Sequence, residues 1–147
     1  CFVWLVIGFW LVCLRTRDLA AWMVLLTGVG LALAAGAAGL YSARELALGY
    51  RVFKTASQIN SIGTFLFGIG ILTLFLIYPR RIVPRILLPL PAVLIGSTLL
   101  FIQMTDWPNH VGLLQDAVAA IMLALLSAIA FQLVVNRRDL AARAMLG

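Results

Sequence analysis

Five polar residues between positions 103 and 116 form a candidate functional cluster in this sequence. They are Gln103, Asp106, His110, Gln115 and Asp116. An imidazole titrates near neutral pH, so His110 and Asp116 together could form a proton- or ligand-responsive site. The alternative, which we favour, is ordinary polarity at a helix end, with Asp116 reaching outward to water or pairing with an Asn or Arg.

A second polar group, Gln58, Asn60 and Ser61, lies near the predicted outer end of the third apolar segment. These side chains could line the same cavity as the first group. The alternative is hydrogen bonding between neighbouring helices, which is a common use of polar residues inside membranes and is the interpretation we favour.

Sequence patterns for catalysis and cofactor binding are lacking. There is no phosphate-binding loop, zinc-protease motif or serine-hydrolase elbow. Cys1 and Cys13 form no CxxC pair, and the single histidine excludes haem ligation by two histidines. We therefore expect no catalytic residue, no cofactor and no metal site in this chain.

The composition points to lipid as the solvent for most of the chain. Of its 147 residues, 64% are hydrophobic and 11% are charged, whereas soluble domains carry about 25% charged residues. The net charge of +6 comes from short basic clusters between long uncharged runs. No cluster is interleaved with aromatic residues, as a nucleic-acid-binding surface requires, so we expect no nucleic-acid partner.

Four runs are long and apolar enough to cross a bilayer, whose hydrocarbon core is about 30 Å thick and needs about 20 helical residues. Backbone groups cannot stay unpaired in lipid, so each run is predicted to be helical. The predicted spans are residues 19–41, 55–78, 86–105 and 111–135, preceded by a shorter run at 1–14. The sequence thus predicts one all-α domain over 1–147, a polytopic transmembrane helix bundle of about five spans with the first truncated.

Local signals refine the predicted helix ends. Asp18 precedes the second span and can cap its first turn. Pro89 and Pro91 favour a distortion in an early turn of the fourth span over a bend within it. Within the 42–54 connection, the helical spacing of Leu46, Tyr50 and Phe53 is compatible with a short helix on the membrane surface.

Basic residues are concentrated in alternate connections. Segments 15–18, 79–85 and 136–147 carry eight of them, and segments 42–54 and 106–110 carry three. The eight are Arg15, Arg17, Arg80, Arg81, Arg85, Arg137, Arg138 and Arg143. Because the more basic side of a membrane protein faces the cytoplasm, we expect the N-terminus outside and the C-terminal tail, 136–147, inside.

Small residues recur at helical spacing on three spans and predict close helix packing, which drives association in lipid. The predicted packing residues are Gly28, Ala32, Ala35, Gly36 and Gly39 on the second span, Gly63 and Gly70 on the third, and Ala117, Ala120, Ala124 and Ala128 on the last. The partners expected are the bilayer and other transmembrane helices, from the same parent chain or from a second copy.

Three connecting segments carry a family resemblance. They are RTRDLAA at 15–21, LIYPRR at 76–81, and Gln132 followed by RRDLAARA at 137–144. In this order and spacing they resemble the multi-spanning membrane input region of bacterial sensor histidine kinases of the ComP-like kind. The resemblance implies a bacterial inner-membrane location and a fragment of a sensor without catalytic residues of its own. His110 does not correspond to the phosphorylated histidine, since it lies in a predicted outer loop without the flanking pattern.

The function expected from this resemblance is signal input to a two-component kinase, with output through the last helix and the residues that follow it. The alternative is a structural or accessory subunit of a larger membrane complex. A transporter or channel is disfavoured, because the spans carry no row of intramembrane charges and no inverted repeat. The sequence does not identify the ligand.

Overall fold

The computed structural model describes residues 2–42, 49–78, 83–104 and 107–146, and the side chains of 2–40, 42, 49–78, 83–104 and 112–134. Within these ranges the regular structure is entirely helical. The helices are α1 (Phe2–Leu14), α2 (Leu19–Ser42), α3 (Tyr50–Ile77), α4 (Leu90–Gln103) and α5 (Trp107–Leu146), with a short 3₁₀ helix at Arg85–Leu87. The predicted all-α class is confirmed.

Four helical segments of the described chain are long and apolar enough to cross a membrane. They are Leu19–Leu40, Tyr50–Ile77, Arg85–Gln103 and Gly112–Val134, whereas α1 is a shorter apolar helix. Between 11% and 33% of the most apolar window of each segment is buried inside the protein. Large side chains such as Phe9, Leu94 and Leu123 therefore lie on exposed faces, as expected for helices that contact lipid.

The beginnings of α2 and α4 follow the local sequence signals. The Ala20 N–H donates to Oδ1 of Asp18 over 3.0 Å, so the predicted cap is confirmed. Pro89 is the residue before α4 and Pro91 lies in its first turn, where a missing N–H costs no intrahelical hydrogen bond. The distortion is thus an early-turn feature, and α4 is shorter than the predicted span 86–105.

Two other predicted boundaries differ from the structure. Helix α3 begins at Tyr50, so Tyr50 and Phe53 belong to α3 and not to a separate surface helix; Leu46 lies outside the described residues. Helix α5 is continuous over 40 residues. It includes residues 107–110 of the predicted loop and all the described part of the predicted tail. Between Val111 and Leu146 the sequence contains no proline and a single glycine, Gly112, so nothing in it breaks the helix.

Helix α3 lies at the centre of the bundle. It packs against α2, α4 and α5, while α1 packs against α2. A buried cluster of Phe65, Ile95, Ile102 and Ile121 joins α3, α4 and α5. The α2–α3 interface is the most extensive in the bundle and the α4–α5 interface is much smaller.

Glycines bring the backbones of α2 and α3 into close approach. A Cβ added at Gly63 would lie 2.7 Å from the carbonyl oxygen of Gly30, and a Cβ added at Gly30 would lie 2.7 Å from that of Gly63. A Cβ added at Gly70 would lie 2.8 Å from the backbone nitrogen of Thr27. Gly63 and Gly70, both predicted as packing residues, thus lie at close backbone contacts with α2, and Gly30 makes such a contact although it is not in the predicted stripe.

Gly28 packs against α1, where an added Cβ would lie 3.0 Å from the carbonyl oxygen of Trp4. Gly8 of α1 lies in the same interface, since a Cβ added there would lie 2.7 Å from Cα of Leu25. Two adjacent helices therefore use different faces of α2, one through Gly28 and the other through Gly30.

The remainder of the predicted α2 stripe has few neighbours in the described part of the chain, and the prediction leaves open whether its partner lies in this chain or in a second copy. No described atom lies within 4 Å of a Cβ added at Gly36 or Gly39. Ala35 is exposed and Ala32 is half-buried. The reason is the rotation of α2 about its axis. The face of α2 that presents Gly30 to α3 also contains Ala37, which is 7% exposed, and Gly36 and Gly39 therefore point away from α3.

The alanines of the predicted stripe on α5 differ in burial. Ala117 packs on the buried cluster and Ala128 is 9% exposed, whereas Ala120 and Ala124 are exposed. Ile121 packs over α3 at Gly68, where an added Cβ would lie 2.9 Å from the Ile121 Cγ2. A large side chain over a glycine thus joins these two helices.

Candidate functional site

The described side chains of the predicted polar cluster are those of Gln103, Gln115 and Asp116. Gln115 and Asp116 are exposed on α5, and Gln103 is half-buried at the end of α4. Asp106 and the side chain of His110 lie outside the described residues, so the His110–Asp116 pair stays a prediction. For Asp116, the exposure agrees with the favoured interpretation, a carboxylate that reaches outward.

A cleft between α3 and α5 joins one residue from each predicted polar group. Asn60, Thr64 and Gln115 line this space of about 390 Å³. Ser61, by contrast, is fully buried and donates to the carbonyl oxygen of Ser57 on its own helix over 3.0 Å. Asn60 and Gln115 therefore share a cleft, whereas the hydrogen bond from Ser61 to Ser57 lies within α3.

Gln132 makes the polar connection between α5 and α3. Its side chain is 4% exposed. Its Nε2 donates to the carbonyl oxygens of Phe75 and Tyr78 over 2.8 Å and 3.3 Å. Carbonyls in the last turn of a helix have no intrahelical donor, so an amide from α5 supplies the missing donor at the C-terminal end of α3.

In the sequence, Gln132 belongs to the motifs that carry the family resemblance and not to the predicted site residues. A signal was present, because Gln132 is a lone amide in the apolar run 117–135. A buried polar side chain in such a run needs an internal partner, since unpaired polar groups are costly in lipid. The partner itself could not be identified without the packing of α3 against α5.

An apolar groove lies beside Gln132 on the α4 side of α5. It comprises two adjoining spaces of about 250 Å³ and 520 Å³, both lined by Leu72, Pro91, Leu94 and Ala124. Helix α5 is thus attached to α3 along one side, while its smaller contact with α4 leaves a groove along another. Protein side chains therefore constrain α5 less along this groove than along its contacts with α3.

Metal-binding geometry is not found in the described ranges, where no three His, Cys, Asp or Glu side chains come together. The described side chain of Cys13 is exposed and free. The candidate functional site is therefore the α5 attachment, formed by Gln132, Ile121 and the groove beside them.

Comparison with models of known protein families, with curated proteins and with solved structures found no match.

We predict that Gln132→Leu lowers the free energy of unfolding by about 1 kcal/mol, the usual scale of an interhelical hydrogen bond in membranes. The substitution removes the donor to Phe75 and Tyr78 and keeps the side-chain volume similar. Unfolding can be followed by circular dichroism during titration with a denaturing detergent.

The matched control for this prediction is Gln115→Leu, the same change at an exposed position of the same helix. We expect it to shift the free energy by less than about 0.5 kcal/mol. Equal effects of the two substitutions would show that Gln132 does not hold α5 to α3.

Proposed function

We propose that this chain is the membrane-embedded sensory input domain of a two-component signalling kinase in a bacterial inner membrane. The observation that carries the proposal is the length of α5, a single helix of 40 residues. At 1.5 Å per residue it is about 60 Å long, twice the thickness of the hydrocarbon core. Such a helix can carry a displacement from within the membrane to a domain outside it.

The sequence of α5 changes from apolar to basic along its length, as an output helix that leaves the membrane requires. Its apolar segment, Gly112–Val134, has 23 residues, enough to cross the bilayer with some tilt. The helix then continues to Leu146 through Arg137, Arg138 and Arg143. A basic segment directly after a span is typical of the cytoplasmic side, which favours an intracellular output.

The attachment of α5 suits a helix with two positions. Ile121 over Gly68 and the hydrogen bonds of Gln132 fix it to α3, while the groove leaves space on the side of α4. A stimulus that binds more tightly to one position of α5 would shift the population toward it. The loop motifs that resemble ComP-like input regions support the same assignment.

A structural or accessory subunit is the second candidate function. It is favoured by Gly36 and Gly39, which form a small-residue surface with no described neighbour within 4 Å. Such surfaces let another helix approach closely in lipid. The coding sequence beyond codon 147 discriminates between the candidates, since a kinase module supports the sensor and a stop codon supports the subunit.

We predict that insertions after Ala142 in the full parent protein act according to helical phase. Two added alanines rotate the following segment by about 200°, whereas seven residues return it to within about 20° of its original phase. The two-residue insertion should change basal autophosphorylation in membranes at least about fivefold, the lower end of usual coupling energies.

The seven-residue insertion is the matched control and should leave autophosphorylation within about twofold of the parent. Activity that is unchanged by both insertions, or changed equally by both, would contradict output through α5.

A separate prediction tests the proposed orientation. In a Cys1→Ala, Cys13→Ala background, Gly49→Cys should react with a membrane-impermeant maleimide on intact cells, because Gly49 is exposed at the end of α3 assigned to the outside. Thr16→Cys, exposed at the arginine-rich end, should react only after permeabilisation. Labelling of Thr16→Cys alone on intact cells would reverse the assignment.

A further inference from the structure

A cleft of about 490 Å³ lies at the arginine-rich end of the bundle and shares Tyr78 with the α5 attachment. It opens between the α1–α2 connection, the end of α3 and the 3₁₀ helix that precedes α4. Its polar lining includes Arg17, Tyr78 and Arg85, and its apolar lining includes Leu19, Ile77 and Leu88. Two arginines from distant parts of the chain therefore line one cavity.

Backbone and side-chain hydrogen bonds hold the segment that carries Arg17. The Asp18 N–H donates to the carbonyl oxygen of Arg15 over 3.0 Å and closes a turn. The indole Nε1 of Trp22 donates to the carbonyl oxygen of Thr16 over 2.8 Å. The backbone on both sides of Arg17 is thus fixed before any ligand binds.

The other two walls are fixed in the same way. The Leu88 N–H donates to the carbonyl oxygen of Arg85 over 3.3 Å, within the 3₁₀ helix region. Tyr78 donates its N–H to Leu74 over 2.9 Å and accepts from Gln132. Preorganisation of this kind lowers the entropic cost of binding.

The carboxylate of Asp18 also lines the cleft, but its oxygens are engaged. Oδ1 accepts from the Ala20 N–H at 3.0 Å, and Oδ2 lies 4.0 Å from a guanidinium nitrogen of Arg15. Among the described residues, Arg17 and Arg85 form no ion pair with a carboxylate. The cleft therefore has an excess of positive charge at its mouth.

We propose that this cleft binds the phosphate group of an anionic phospholipid. Guanidinium groups bind phosphate oxygens in pairs of parallel hydrogen bonds. The cleft lies where α2 begins and α3 ends, at the boundary of the apolar spans, and Leu19, Ile77 and Leu88 extend its lining toward the hydrocarbon. Basic clefts between helices on the cytoplasmic side are suited to acidic lipid head groups. The proposal does not depend on the signalling role of α5.

Native mass spectrometry of the detergent-solubilised chain tests this proposal with three probes. They are phosphatidylglycerol, phosphatidylcholine with identical acyl chains, and inorganic phosphate. We expect phosphatidylglycerol to bind preferentially. The double variant Arg17→Gln, Arg85→Gln should weaken its binding about 25-fold, since each arginine contributes about fivefold.

The matched control is the double variant Arg51→Gln, Lys54→Gln, which removes the same charge from exposed residues at the opposite end of α3. We expect it to leave phosphatidylglycerol binding within about twofold. Equal affinity for the two lipids, or an equal loss in the control, would overturn the site. Saturation by millimolar inorganic phosphate that displaces the lipid would show that free phosphate is the ligand and would overturn the lipid assignment.

Discussion

The close approach of α2 and α3 at Gly30 and Gly63 is the contact on which the rest of the bundle depends. In lipid, helices gain little by burying apolar side chains, so association depends on tight packing over small residues. This contact sets the position of α3, which carries α4 and α5 on its other faces, and α2 in turn carries α1 through Gly28. Displacing either glycine backbone would therefore move every helix of the bundle.

Helix α5 is joined to this fixed pair in a different manner. It relies on one large side chain, Ile121, over Gly68 and on the amide of Gln132 at the end of α3, with open space toward α4. The contrast between a tight α2–α3 pair and a less extensively packed final helix is the physical basis of the proposed function. In that proposal the tight pair is a fixed base and the last helix is the part that moves.

Much of this architecture could be predicted from hydropathy and helix-end chemistry. Uncharged runs of about 20 residues specify helices in lipid, and Asp18 and Pro91 mark where α2 and α4 begin. The packing faces could not be predicted as well, because several faces of α2 carry small residues and periodicity does not select among them. The predicted stripe contains Gly36, whereas Gly30 forms the contact with Gly63. The role of Gln132 could not be predicted from the sequence for a related reason. Its partners are backbone carbonyls 54 and 57 residues away.

The most direct test of the central contact is a double-mutant cycle with Gly30→Ala and Gly63→Ala, measured as free energies of unfolding in detergent. Gly36→Ala serves as the reference for helix propensity, worth up to about 1 kcal/mol. Each interface substitution should cost about 1–3 kcal/mol relative to that reference. Their costs should also fall short of additivity by at least about 0.5 kcal/mol, because the first methyl group already separates the helices. Additive costs, or costs equal to that of Gly36→Ala, would contradict a shared contact between α2 and α3.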